Sequence, residues 1–314
     1  MRVVVVTWQP GDSLEHFLDS LRDATRGLVA DVVIADNGST DGAVERAGER
    51  PGVTLVRTGG NLGYGGAANV GVASSAAATS TAAASPASEE LVVIANPDIE
   101  WHHGALDELV AAAQRWPRAA VFGPAIVTPE GELYPSARSF PSLSRGIGHA
   151  LLGWWWPTNR FTQSYRRERR DPVEATAGWL SGSCLLLRRS AFDEVGGFDP
   201  AYFMYFEDLE LCRRLSRAGW QSVYVPSAVV THVGGAATRL AKPTMLKAHH
   251  RSAYRYIASE YAGLRWLPVR LLLGGGLVTR YLLSLVLRPV REGARPTRTA
   301  DALHDGAGST RKVS

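Results

Sequence analysis

The stretch Leu91-Val92-Val93-Ile94-Ala95-Asn96-Pro97-Asp98 constrains the fold of the chain most. Five consecutive apolar residues, three of them β-branched, specify a strand buried on both faces, and such strands belong to parallel sheets covered by helices. Proline has no N–H for a ladder, so Asn-Pro-Asp ends the strand and brings the Asp98 carboxylate out at its C-terminal edge. Ligands of open α/β sheets bind just beyond the carboxyl ends of the strands. Asp98, with Glu100 close behind, can therefore hold a divalent cation that bridges a diphosphate. The alternative is a strand that closes on an ordinary turn.

The sequence before this stretch alternates strand and helix. Val3 to Thr7 is a strand, and Asp12 or Ser13 can cap a helix with Leu14, Phe17, Leu18 and Leu21 at helical spacing. Val32 to Ala35 is a second strand, closing on the turn formers Asp36-Asn37-Gly38-Ser39-Thr40-Asp41-Gly42. A helix near 43–50 and the strand Val53 to Arg57 follow. This order predicts right-handed crossovers and a parallel sheet. Gly59-Gly60-Asn61-Leu62-Gly63-Tyr64-Gly65-Gly66 comes next, a glycine-rich junction into a helix. Its N–H groups suit an anion, but it lacks the Gly-Lys-Ser/Thr of a phosphate-binding loop, and a glycine turn without a ligand is equally open. Residues 74–90 are almost all Ala, Ser and Thr and read as a helix end plus a flexible insertion.

After Asp98 the pattern predicts a helix over 104–115, a strand over 119–123 and a hairpin over 128–140 turning at Pro129-Glu130-Gly131. Trp154-Trp155-Trp156, Arg160 and Arg166 to Arg170 form a basic aromatic stretch suited to lipid headgroups or a sugar, or to covering a core edge. Gly178 to Gly182 turns into a buried strand, and Ser190 to Gly197 reads as a short capped helix closed by glycine. The aromatic run Tyr202 to Phe206 then delivers Glu207 and Asp208 to the start of a helix, where a carboxylate is either a simple cap or a functional acid. Strands over 222–226 and 228–232 end at His232, a structural group or a metal ligand.

Charge is unevenly divided. Residues 239–298 hold 12 Lys/Arg and 2 acids, whereas the rest of the chain holds 22 bases and 28 acids, which points to an anionic surface for the C-terminal segment. A helix over 246–262 carries His249, His250, Arg251 and Arg255. Leu264 to Leu287 is too charged to span a bilayer; it suits a membrane interface or a helix packed on the core. No apolar run reaches the roughly 20 residues a span requires, and no secretory signal opens the sequence. Cys184 and Cys212 sit in apolar contexts and read as buried free thiols.

In this order the stretches resemble the inverting family 2 glycosyltransferases with a GT-A fold. The set comprises Thr7, Asp36 to Asp41, Gly60 to Gly66, Asn96-Pro97-Asp98, Gly178 to Gly182, Gly196 to Asp199, Phe206 to Leu211 and His232 to Gly235, over about residues 2–260. Within the family the likeness is nearest to bacterial rhamnosyltransferases that act on polyprenyl-diphosphate N-acetylglucosamine (GlcNAc). The resemblance implies an α/β fold with a mainly parallel mixed sheet and a catalytic domain over 1–240 (nucleotide half about 1–125, acceptor half about 126–240). Charge and composition add a basic amphipathic helical segment for a membrane interface over 241–290 and a disordered tail over 291–314.

The resemblance implies roles as well. Thr7, Asp36, Asn61, Gly63, Gly65, Asn96 and Asp98 would hold the nucleotide sugar, and Asp98 and His232 a divalent cation, Mg²⁺ or Mn²⁺. Asn96 departs from the family's Asp-x-Asp motif, and an amide is a weaker cation ligand than a carboxylate. Asp208 would be the general base. Trp179 and Glu207 would hold the acceptor, and on charge alone His249 and Arg251 would meet its lipid diphosphate. The implied partners are a nucleotide-sugar donor, dTDP-rhamnose foremost, a polyprenyl-diphosphate-linked acceptor, and a membrane surface contacted peripherally from the cytoplasmic side. No nucleic acid is implied, and a homodimer stays open. Rival readings are another donor (UDP- or GDP-sugar), a nucleotidyltransferase and a non-catalytic scaffold.

Overall fold

A computed structural model describes residues 1–25, 30–74, 90–141, 173–234 and 242–286. The basic aromatic stretch 154–170, the Ala/Ser/Thr insertion and the tail after 291 lie outside the described residues.

The chain opens with β1 (Arg2–Thr7), α1 (Ser13–Asp23), β2 (Asp31–Asp36), α2 (Ala43–Gly48), β3 (Val53–Arg57), α3 (Gly63–Ala73), β4 (Leu91–Ala95), β5 (Ile99–Trp101) and α4 (Ala105–Arg115). The chain continues through β6 (Ala119–Val127), β7 (Leu133–Tyr134), β8 (Ala137–Arg138), β9 (Ala175–Ala177), β10 (Trp179–Leu180), β11 (Cys184–Arg188) and α5 (Arg189–Glu194). It closes with α6 (Glu207–Arg217), β12 (Gln221–His232), α7 (Lys242–Glu260), a 3-10 turn (Leu264–Trp266) and α8 (Leu267–Val286).

The main sheet runs β3-β2-β1-β4-β11-β6-β12-β5, with β7 added to β6 and β9 to β12. Strands β1 to β4 are parallel, β11 lies antiparallel between β4 and β6, and β12 is parallel to β6. The continuous apolar runs are explained by burial on both faces. Val3 and Val5 pack toward α1 and α4 with Phe17 and Leu106, whereas Val4 and Val6 pack toward α3 and α6 with Val72, Phe198 and Leu211. The mainly parallel mixed sheet is the expected architecture.

Several boundaries differ from the sequence reading. Strand β6 continues through Pro124 to Val127, because Ala125 to Val127 pair with Val229 to Thr231. The two strands expected over 222–232 are one, with a register irregularity between Val225 and Val229 around Pro226. Neither Asp12 nor a side chain before α5 makes a capping hydrogen bond. The hairpin forms as expected, with Gly131 at φ +83°. Both cysteines are buried and free. Helix α8 packs along α7, where the Cβ absent from Gly274 leaves room for the Tyr254 ring. Leu271 and Leu272 nevertheless remain 64% and 76% exposed. Among the described residues no helix is long and apolar enough to cross a membrane.

The glycine-rich junction is fixed by packing. Gly63 has φ +76°, and a Cβ there would lie 1.9 Å from the Phe203 carbonyl oxygen. The neighbouring Tyr64 N–H donates to that same oxygen at 3.1 Å. A Cβ on Gly65 would lie 2.8 Å from Phe198 Cβ. Gly63→Ala therefore combines left-handed strain of about 1–2 kcal/mol with a backbone clash. The expected result is a loss above about 2 kcal/mol in urea unfolding; an unchanged midpoint would show that the junction yields freely.

Candidate active site

Adjacent strand ends build the first part of the site. Thr7 ends β1 and Asp36 ends β2, paired in register, and Thr7 Oγ1 donates to Asp36 Oδ1 at 2.9 Å. Asp36 is fully buried and accepts further bonds from Ser39, from the Gly38 N–H and from Arg57 Nη1 of β3 at 2.6 Å. Burial alone would raise its pKa, but the bonds from Ser39, Thr7 and Arg57 outweigh burial and hold the carboxyl below its ordinary range. Both oxygens thus have protein donors. A nucleobase N–H can reach Asp36 only if a donor gives way, and the half-exposed Arg57 is the one able to move.

Asn37, not singled out from the sequence, joins this turn to the glycine-rich junction. Its Oδ1 accepts from the Leu62 N–H at 3.0 Å and its Nδ2 donates to the Gly63 carbonyl at 3.1 Å. Its signal lay in the run of turn formers, where an asparagine with two long-range bonds looks like any turn asparagine. Asn61 is exposed and accepts from the Gly63 N–H.

The second part lies at the end of β4. Asn96, Asp98 and His232 come together: His232 Nε2 is 3.1 Å from Asp98 Oδ1 and 3.3 Å from Asn96 Nδ2. One ring nitrogen cannot both donate to Asp98 and accept from the Asn96 amide. With the amide turned to present oxygen and Nε2 unprotonated, each of the three side chains offers a lone pair, a donor set that suits a cation. Glu100 does not join them. It lies in β5 and faces His16 at 3.8 Å, whereas Asp98 stands in the turn before that strand, so the alternation of faces along a strand does not relate the two. Among the described residues no three His, Cys, Asp or Glu side chains form a metal-holding group, and the polar side chain beside Asp98 and His232 is the Asn96 amide.

The third part is the start of α6. Tyr205 and Phe206 both adopt positive φ, +66° and +69°, and this turn swings Glu207 and Asp208 into the structure. Asp208 Oδ2 accepts from the Gly182 N–H and Oδ1 from the Leu209 N–H, each at 2.8 Å. The next residue, Ser183, accepts from the Asn96 N–H at 2.9 Å, so residues 182 and 183 hold the acid and the strand-end cluster side by side. Tyr64 donates to the Gly182 carbonyl, and the charges of Glu207, Asp208 and Asp98 all bear on its hydroxyl. Burial pushes the Asp208 pKa up, against the backbone N–H groups that lower it. Burial, reinforced by the Asp208 charge, pushes Glu207 to about 8.

Trp179 lies in β10 beside β8, and the Arg138 guanidinium stands 5.3 Å over its ring. Arg138 also lowers the Asp208 pKa by its charge. No motif in the sequence marks it. His249 is held by aromatic contact with Tyr205 and Phe206, its ring centroid 5.4 Å and 5.5 Å from theirs, and burial lowers its pKa. It supports the turn before the acids, whereas Arg251 on the same helix is exposed.

Over residues 1–256 the chain matches the family described as Glycosyltransferase like family 2. It is 48% identical over 303 residues to the N-acetylglucosaminyl-diphospho-decaprenol L-rhamnosyltransferase of Mycobacterium tuberculosis, covering 96% of this chain and 98% of that one. It is 32% identical over 205 residues to the rhamnosyltransferase WbbL of Escherichia coli, with 65% and 73% covered. Among solved structures, the mannosyltransferase PcManGT of Pyrobaculum calidifontis with GDP-Man and Mn²⁺ aligns with a TM-score of 0.52 at 18% identity, covering 91% of this chain and 73% of that one. GalNAc-T7 with UDP, GalNAc and Mn²⁺ aligns at 0.52 and 16% identity, over 74% of this chain and 43% of that one. These two show the fold alone, and it is the GT-A fold. With its sheet, its strand-end cluster and its paired acids, the chain belongs to the family 2 glycosyltransferases.

Proposed function

We propose that the chain transfers L-rhamnose, with inversion, from dTDP-rhamnose to a GlcNAc-diphospho-polyprenol. The observation that carries this reading is the 182–183 bridge, which sets Asp208 beside the Asn96–Asp98–His232 cluster in a chain nearly half identical to a full-length rhamnosyltransferase.

Thr7, Asp36, Asn61, Gly63 and Gly65 line the nucleotide side. Asp98 and His232, completed by Asn96, would hold the divalent cation, Mg²⁺ or Mn²⁺. When bound, the cation offsets charge that develops on the leaving diphosphate. Asp208 takes the proton of the acceptor hydroxyl as that oxygen attacks the anomeric carbon from the face opposite the diphosphate. Glu207 and Trp179 position the acceptor sugar, and Arg251 meets the lipid diphosphate, while His249 packs on Tyr205 and Phe206. Asp208→Asn should abolish transfer and leave donor binding within a few-fold. Rates measured with dTDP-, UDP- and GDP-sugars, with and without each metal ion, decide donor and cation together, and near-normal turnover by the variant would remove the base.

We further propose peripheral membrane contact through α8. Leu267, Leu271, Val278 and Leu282 are exposed at a spacing that aligns them on one stripe, with Arg265 and Arg280 exposed nearby. Each leucine is worth roughly 1.5–3 kcal/mol when fully buried. Replacing both Leu271 and Leu282 by Asp should weaken flotation with anionic vesicles at least about tenfold while leaving transfer to a soluble acceptor analogue intact. Unchanged flotation would place the contact elsewhere.

A further inference from the structure

Glu207 is the one buried acid of the site without a complete set of partners. It is 7% exposed, and its Oε2 has no hydrogen-bond partner among the described residues. Its neighbour Asp208 has a backbone N–H on each oxygen. Two adjacent carboxylates buried together cannot both keep their charge cheaply, and the first charge settles where the donors are. Donors and the nearby Arg138 guanidinium favour Asp208. Glu207 has the bond of its own backbone N–H, which burial outweighs, and no guanidinium is among the groups that act on it.

We propose that Glu207 holds the proton of the pair, so that Asp208 alone is ionised before transfer and Glu207 offers an O–H donor to an oxygen of the acceptor sugar. This deepens, and rests on, the assignment of Asp208 as base. The proton count closes. As the acceptor oxygen bonds to the anomeric carbon and the bond to the diphosphate breaks, the hydroxyl proton passes to Asp208. The pair is then neutral, and Asp208 releases its proton to solvent to restore the starting state. An ionised Glu207 would place a second negative charge beside the base and remove the donor. The other titratable groups around the pair are Tyr64 of α3, Tyr205 before α6, Arg138 of β8, Cys184 of β11 and Cys212 of α6. From α7, His249 meets Tyr205 and Phe206 edge-on and Tyr256 packs against Phe206.

Burial and the Asp208 charge raise Glu207 to about 8, so it is protonated below that pH and loses its proton above it. The test uses the full chain with dTDP-rhamnose and GlcNAc-diphospho-polyprenol. In the wild type, kcat/KM should fall above pH of about 8, approaching tenfold per pH unit. Glu207→Gln, whose amide N–H keeps a donor but not the geometry of the acid, should lower neutral-pH kcat/KM, stay far more active than Asp208→Asn, and lose that alkaline fall. Infrared spectra of the protein carrying carbon-13-labelled glutamate should show a protonated carboxyl band at neutral pH that disappears as pH rises through the same range.

A folded Glu207→Gln that binds donor but is as inactive as Asp208→Asn at every pH would overturn the proposal, since Glu207 would then act as a carboxylate. Where that variant does not fold, the wild-type spectrum decides: no protonated glutamate at neutral pH overturns it as well. An active Asp208→Asn would instead strike the base assignment, and the infrared band would still report where the proton resides.

Discussion

Two peptide units, at residues 182 and 183, connect the halves of the site. One donates its N–H to the Asp208 carboxylate, and the other accepts from the N–H of Asn96. Both bonds are to main chain, so their geometry is set by where β11 enters the sheet between β4 and β6. An antiparallel strand inserted beside β4 brings its own N-terminal turn to the carboxyl end of β4, which is where a parallel sheet exposes its ligands. The position of Asp208 relative to the strand-end cluster is thus a property of sheet topology. A glycine at 182 suits this because a Cβ there would lie 3.1 Å from the Asp208 Cβ.

Strain is concentrated next to this bridge. Two consecutive non-glycine residues at positive φ each cost about 1–3 kcal/mol and persist only where surrounding contacts over-determine them. Those contacts come from three directions. Gly63 and Tyr64 press on the Phe203 carbonyl, Ser252 Oγ donates to the Met204 carbonyl, and the His249 and Tyr256 rings close on Tyr205 and Phe206. The glycine-rich junction therefore supports the turn that carries the acids, whatever anion its N–H groups meet.

Strand order was legible where burial left one pattern, as in Val3 to Val6 and Leu91 to Ala95. Asp98 could be singled out because strand ends are where α/β sheets place chemistry, whereas Thr7, Asp36 and His232 were given roles through the family resemblance. Glu100 misled because proximity in sequence says nothing about face, and β5 turns it away from Asp98. Asn37, Arg138 and the buttressing place of His249 could not be read, since each depends on contacts between segments more than 20 residues apart. Asp36 was found, but the number of protein donors that saturate it depends on how Arg57 and Ser39 fold around it.

Helix α7 follows the last strand, yet its side chains reach back to the turn before α6 through Ser252, His249 and Tyr256. Arg213 and Arg217 of α6 pair with Glu260 at its end, closing the two helices together. A fragment that stopped where the sheet stops would keep every strand and both acids but leave their turn held from one side only. The smallest unit able to hold its own catalytic geometry is therefore longer than its α/β layer.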